Sequence, residues 1–133
     1  MIDLNMRALT QLSLTFIGSL VRRRGGILNV GSLAGFLPGP RMAVYYATKA
    51  FVLSLSQALR QELKHTGVRV CVLCPGPVPT EFAARAGING RSMAPGPLTK
   101  TAEFVAEAGY RGLMAGKRVV VPGIANRIAS LLP

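Results

Sequence analysis

Three short β-branched runs punctuate the chain, Ile27 to Val30, Val68 to Cys74 and Arg118 to Val121, each followed by Gly or Pro. Runs of this kind predict strands. Longer stretches with helical spacing lie around them. Asp3 to Arg24 is expected to carry Leu4, Leu9, Leu12, Leu14, Phe16, Ile17, Leu20 and Val21 largely on one side of a helix that Gly25-Gly26 ends. A second helix is expected from Met42 to His65, entered after Pro38-Gly39-Pro40 and left at Thr66-Gly67. A third spans Thr99 to Met114, and a last amphipathic one carries Ile124, Ile128, Leu131 and Leu132. Helix, strand, helix, strand with nearly continuous hydrophobic strands predicts an α/β fold, a parallel sheet covered on both faces. The Gly, Pro and Ser-rich stretch from Ala86 to Pro97 follows the second strand, where open α/β sheets place ligands. There is no internal repeat and no low-complexity segment.

With 133 residues, half of them hydrophobic and 16% charged, the chain has the makings of one domain with a real core, and neither a disordered chain nor an acidic tail fits. Charge adds a question. Sixteen Lys and Arg against five Asp and Glu leave a formal net charge of +11. The cations are strewn along the sequence with one cluster, Arg22 to Arg24, which in the last turn of a helix suits the helix dipole and elsewhere would read as a phosphate patch. The spread favours a fragment of a better-balanced parent over a nucleic-acid-binding domain, for which five Phe, three Tyr and no recognised signature offer little. No apolar run approaches the roughly 18 residues of a membrane span, and the basic residues follow the apolar stretch Leu12 to Val21 where a secretory signal has them first. A soluble, cytoplasmic chain with no membrane and no nucleic-acid partner is expected. Cys71 and Cys74 have redox or zinc spacing, but on a strand residues three apart face opposite sides. Two buried structural thiols are expected, and no metal site.

The chemistry gathers in two segments, Gly31-Ser32-Leu33-Ala34-Gly35 and Tyr45-Tyr46-Ala47-Thr48-Lys49. On a helix Tyr45 and Lys49 share a face, and an ammonium beside a phenol favours the phenolate. Moving a phenol from about 10 to about 7 takes roughly 4 kcal/mol of preferential stabilisation, more than one exposed lysine supplies. A second positive charge in a dry site, such as an oxidised nicotinamide ring, would help. Tyr46 is three positions from the same lysine, so spacing alone does not choose between the tyrosines. Ser32 lies at the carboxyl end of the first strand, where its hydroxyl suits either a turn cap or a hydrogen bond to a substrate carbonyl.

Together these residues resemble the short-chain dehydrogenase/reductase family. Its Asn-Val-x-Ser-x-x-Gly stretch is matched by Asn29 to Gly35, and its Tyr-x-x-x-Lys motif, thirteen positions after the serine, by Tyr45 and Lys49. The form Tyr-x-Ala-Ser-Lys selects Tyr45 over Tyr46. The family's asparagine falls on Asn5, and its Pro-Gly-x-Val-x-Thr motif on Pro75-Gly76-Pro77-Val78-Pro79-Thr80. The resemblance implies a carbonyl reductase or alcohol dehydrogenase using NADP or NAD, with NADPH slightly favoured and a small carbonyl or alcohol substrate. It implies catalytic roles for Asn5, Ser32, Tyr45 and Lys49, and cofactor contacts from Tyr45, Lys49, Pro75, Gly76, Val78 and Thr80. It further implies a homo-oligomer through the two long helices, Met6 to Arg24 and Met42 to His65, and a lid over Phe82 to Leu98 suited to an apolar carbonyl compound.

The family's Thr-Gly-x-x-x-Gly-x-Gly turn, which cradles pyrophosphate, does not occur in this sequence. The resemblance therefore implies that residues 1–133 form a partial NAD(P)-binding domain, the carboxyl-terminal half of a Rossmann-like doubly wound parallel sheet with about three strands and flanking helices. On that expectation Met1 is internal to a chain about twice as long. A fragment of this kind is expected to bind cofactor weakly, to be inactive alone, and to expose an aggregation-prone sheet edge. Two other expectations compete with an enzyme: a non-catalytic association module of the same family, and the basic nucleic-acid binder.

Overall fold

The computed structural model describes residues 1–81 and 96–131. A π-helical turn over Asp3–Ala8 runs into helix α1, Leu9–Arg23, followed by strand β1, Gly26–Val30. A 3-10 turn, Leu33–Phe36, leads to helix α2, Ala43–Glu62, and strand β2, Arg69–Leu73. Helix α3, Ala102–Met114, strand β3, Val119–Val120, and the short helix α4, Ile124–Ala129, complete the order. The three strands are parallel in the order β1-β2-β3, with Gly26 opposite Arg69 and Val72 opposite Val119. The expected α/β sheet with flanking helices is what the chain forms.

Alternation along β2 sorts the core into two layers. Val68 and Val70 pack with Leu59 of α2, with Leu63 just beyond its end, and with Ile17, Leu20 and Val21 of α1, while Val72 and Cys74 meet Val52 and Leu53. Cys71 and Leu73 face the other way, onto Val105 of α3. The two thiols are free, buried and on opposite faces of the sheet, as strand periodicity requires. A buried polar pair stitches the same layers: Asn29 Nδ2 donates to Ser56 Oγ at 3.0 Å.

Three expectations need correcting. The apolar residues of the first helix do not share one buried side: Ile17, Leu20 and Val21 pack inward, whereas Leu4, Leu12, Leu14 and Phe16 are exposed. These apolar positions span too wide an arc for one helix to bury against one sheet. Leu4, Leu12 and Phe16 instead border a groove of about 510 Å3 that runs along β1 from Gly26 to Val30, on the edge that pairs with no strand among the described residues. The helix also ends earlier than its glycines suggest, because Arg24, not Gly25, takes the left-handed conformation (φ 50°) and its N–H closes back on Leu20 and Val21.

Finally, the cations are less evenly spread in the fold than in the sequence. In a parallel sheet with crossover helices, every helix ends where the next strand begins. Arg22 to Arg24, Arg60, Lys64, Arg69, Arg111, Lys117 and Arg118 all belong to such helix ends and strand starts, so they gather at one pole.

Candidate active site

At the opposite pole the carboxyl ends of β1 and β2 open onto a cavity of about 1070 Å3. Asn5, Ser32, Tyr45, Lys49, Pro75, Gly76, Val78 and Thr80 all line it, brought together from four separate stretches of chain. Apart from these the wall is largely apolar, with Leu37, Met42, Leu98 and Val105 among its side chains.

Ser32 leaves β1 fully extended and caps the 3-10 turn, its Oγ accepting the Ala34 N–H at 3.1 Å. The capping role is real, yet it uses only a lone pair, so the hydroxyl proton stays available for donation. Gly31, just before it, sits where a Cβ would come within 3.1 Å of Cys74 Sγ, and this close approach seats the turn on β2.

Tyr45 stands in the first turn of α2, its ring edge-on to Tyr46 with centroids 6.0 Å apart. Lys49, one turn later, places Nζ 5.9 Å from the Tyr45 ring centroid and donates to Val30 O at 3.0 Å. The ammonium is thereby fixed to the last residue of β1. Burial lowers the pKa of Lys49, and negative charge on Cys74 would oppose that shift. Tyr46 also borders the cavity, but its ring lies flat against Gly39, where a Cβ would overlap it.

Asn5 is joined to this group indirectly. Its Nδ2 donates to Thr48 Oγ1 at 3.0 Å, and Thr48 in turn donates to the Tyr45 carbonyl at 2.8 Å. Thr48 is 1% exposed, so these part-buried bonds form a clip between the π-helical turn and the helix that carries Tyr45 and Lys49. π-Helical turns of this kind often mark functional sites because they reaim a side chain that regular helix would point elsewhere.

Sequence reasoning also missed a residue that backs the cavity wall behind Gly76 and Leu98. Asn126 of α4 is fully buried, and its Nδ2 donates to Leu98 O at 3.0 Å and Pro122 O at 2.7 Å. Its Oδ1 has no hydrogen-bond partner among the described residues and presses on Gly76, where a Cβ would stand 2.7 Å from Asn126 Cγ and closer still to Oδ1. Lys100 N–H adds a bond to Pro77 O at 3.1 Å. The loop after β2 is thus held between α4 and the segment leading into α3. The only signal in sequence was an asparagine within an otherwise apolar and basic final helix. The expected lid falls mainly on residues 82–95, outside the described residues. Among the described residues no His, Cys, Asp and Glu cluster could hold a metal, and no helix is long and apolar enough to cross a membrane.

Comparison with known proteins adds the family context. A family model described as short chain dehydrogenase matches residues 1–89. A Xanthobacter autotrophicus protein named inactive 2-(S)-hydroxypropyl-CoM dehydrogenase 2 is 37% identical over 80% of this chain and 50% of its own length. A sulfoacetaldehyde reductase of Chromohalobacter salexigens is 45% identical over 62% of this chain and 33% of its own. Among solved structures, a short-chain dehydrogenase from Sphingobium yanoikuyae in complex with NADPH superposes with a TM-score of 0.84 at 35% identity, covering 98% of this chain and 51% of that one. The chain spans half the length of the curated relative it matches most extensively here, and a third of the reductase.

Proposed function

The chain belongs to the short-chain dehydrogenase family, whose members are oxidoreductases, and from that premise we propose that it carries the carbonyl-reacting part of a nicotinamide-dependent enzyme. The reaction is the interconversion of a ketone or aldehyde with an alcohol. What supports this reading above all is the convergence of Ser32, Tyr45, Lys49 and the Pro75–Thr80 loop on one cavity. Residues 1–133 are then the catalytic part of an NAD(P)-binding domain.

The donor set fits the nicotinamide-ribose end of NADP or NAD. Lys49 and Tyr45 offer an ammonium and a phenol to ribose hydroxyls, and the Pro75–Thr80 loop walls the nicotinamide side. The NADPH in the Sphingobium yanoikuyae structure favours the phosphorylated form. When bound, the cofactor supplies or accepts the hydride. The chain's own residues do the rest. Ser32 donates to the substrate carbonyl oxygen and fixes its position. Tyr45 gives a proton to that oxygen in reduction and takes it back in oxidation. Lys49 stabilises the phenolate, and its partial burial strengthens the effect because charges interact more strongly where water is excluded. Asn5, bonded to Thr48 on the helix that carries the lysine, takes the place of the family's proton-relay asparagine.

The half-site calls for a half-cofactor. In amide NMR of the folded chain, reduced nicotinamide mononucleotide should shift Ser32, Lys49, Gly76, Val78 and Thr80, and Lys49→Ala should remove the shifts. Shifts confined to residues elsewhere, or none, would refute the assignment.

A second reading has two supports: the name of the Xanthobacter relative and the exposed Leu12, Leu14 and Phe16 on α1. On it the chain is a non-catalytic association module, paired with further copies through α1 and α2. Sedimentation showing an oligomer with no response to the mononucleotide would favour it.

A further inference from the structure

The pole opposite the cavity carries nine of the fourteen lysines and arginines among the described residues, against Glu62 and Glu107 alone, and Glu107 is already paired with Arg111. Its three turns are physically joined. The Arg24 side chain runs over Gly67, whose absent Cβ would lie 3.3 Å from Arg24 Cγ. The Arg69 N–H donates to Gly25 O at 3.1 Å, and the Val72 N–H to Arg118 O at 3.0 Å. Arg60 is spent internally, donating to Val70 O at 3.1 Å and Gly116 O at 2.9 Å. Arg22, Arg23, Arg24, Lys64, Lys117 and Arg118 remain exposed.

We infer that this pole is a docking surface for the phosphate backbone of duplex DNA. The exposed cations form a row across three strand ends, about 10 Å wide at the usual strand spacing before the side chains extend it. Arginine dominates, and its planar fork pairs with phosphate in two bonds where lysine makes one. The turns at 22–25, 63–69 and 115–118 carry no exposed large apolar side chain, Met114 at the rim being the nearest. Single-stranded nucleic acid wants aromatic platforms, a protein partner wants buried apolar anchors, and a membrane wants apolar groups to insert. A pole made of cations and polar backbone has only charge and geometry to offer, which is what binding to a duplex backbone without sequence preference requires. The helix dipoles explain why cations are tolerated at these ends. They do not explain why no carboxylates are interspersed at the turns. The inference is independent of the oxidoreductase reading, since none of these residues lines the catalytic cavity.

Fluorescence anisotropy of a labelled duplex of about 20 base pairs, titrated with the full chain across a salt series, tests it. Micromolar binding at about 50 mM salt is expected, with a log-log salt slope of about −4 or steeper. The combined variant Arg22→Gln, Arg23→Gln, Lys117→Gln, Arg118→Gln should bind more than about tenfold more weakly and lose about three units of slope. Arg7→Gln with Arg127→Gln, which removes two cations from the cavity end, should change little. Circular dichroism confirms that each variant is folded. Equal loss in both variant sets, tighter binding of the single strand, equal retention on phosphatidylserine vesicles, or no salt-dependent binding by the folded chain would each overturn the inference.

Discussion

Gly76→Ala isolates the contact that holds the loop after β2. Gly76 does not adopt positive φ, so alanine meets no backbone penalty there and the whole effect is one of space. The new methyl would stand 2.7 Å from Asn126 Cγ and 2.8 Å from Nδ2. Asn126 is fully buried and cannot swing into solvent, so relief requires giving up its bonds to Leu98 and Pro122. Each lost bond costs about 1 kcal/mol, and a carbonyl left buried without a partner costs about 1–3 kcal/mol. A destabilisation of about 3 kcal/mol is therefore expected, read as a fall in the urea midpoint of the chain at unchanged slope. In an Asn126→Ala background the same methyl has room, and Gly76→Ala should then cost less than about 1 kcal/mol, a coupling of about 2 kcal/mol between the sites. A near-neutral Gly76→Ala, or additive behaviour of the pair, would refute the account of the clamp.

Arg24→Gly should raise stability by about 1 kcal/mol, visible as a higher Tm, because the left-handed helix terminus suits glycine and the side chain gives up only its cover over Gly67. Burial pushes the Cys74 thiol from 9.0 up to about 12. The folded state thus keeps a proton that the unfolded state releases, so stability should fall by about 1.4 kcal/mol per pH unit between those values, and Cys74→Ala should flatten the decline in an alkaline denaturation series. On the proposed function, in turnover of a chain that also carries the pyrophosphate-binding half, with a nicotinamide cofactor and a ketone, Tyr45→Phe should lower kcat by about 10²–10⁴-fold, while Tyr46→Phe, packed on Gly39, should retain most of it. The opposite ranking would reverse the assignment of the two tyrosines.

Much of this arrangement is legible in the sequence because its determinants are local. β-Branched runs closed by Gly or Pro locate all three strands, though β3 pairs over only Val119–Val120. The spacing of Ser32, Tyr45 and Lys49 brings them to one cavity because a strand end and a helix start are rigid, so sequence separation converts directly into position. Thr48 and Asn126 escaped because their partners, Asn5 and Gly76, are 43 and 50 positions away, and nothing in the local pattern records such contacts. Leu12, Leu14 and Phe16 misled for a related reason: their hydrophobicity is plain, but which neighbour covers them is decided beyond the helix itself. The cations teach the converse lesson. Nine cations dispersed in sequence come to one end because the fold returns there after each crossover.

Along β1, residues 26, 28 and 30 direct their backbone groups away from β2, since Gly25 O and Gly31 N are the ones bonded to it. Val30 O is thus the last outward acceptor of the strand, and it is the atom that receives Lys49. Any strand added in parallel along this side would bring an amide to the same oxygen. Widening the sheet and holding Lys49 therefore draw on one carbonyl, which has two lone pairs to divide between them, and whatever lies beside β1 bears on how Lys49 is held.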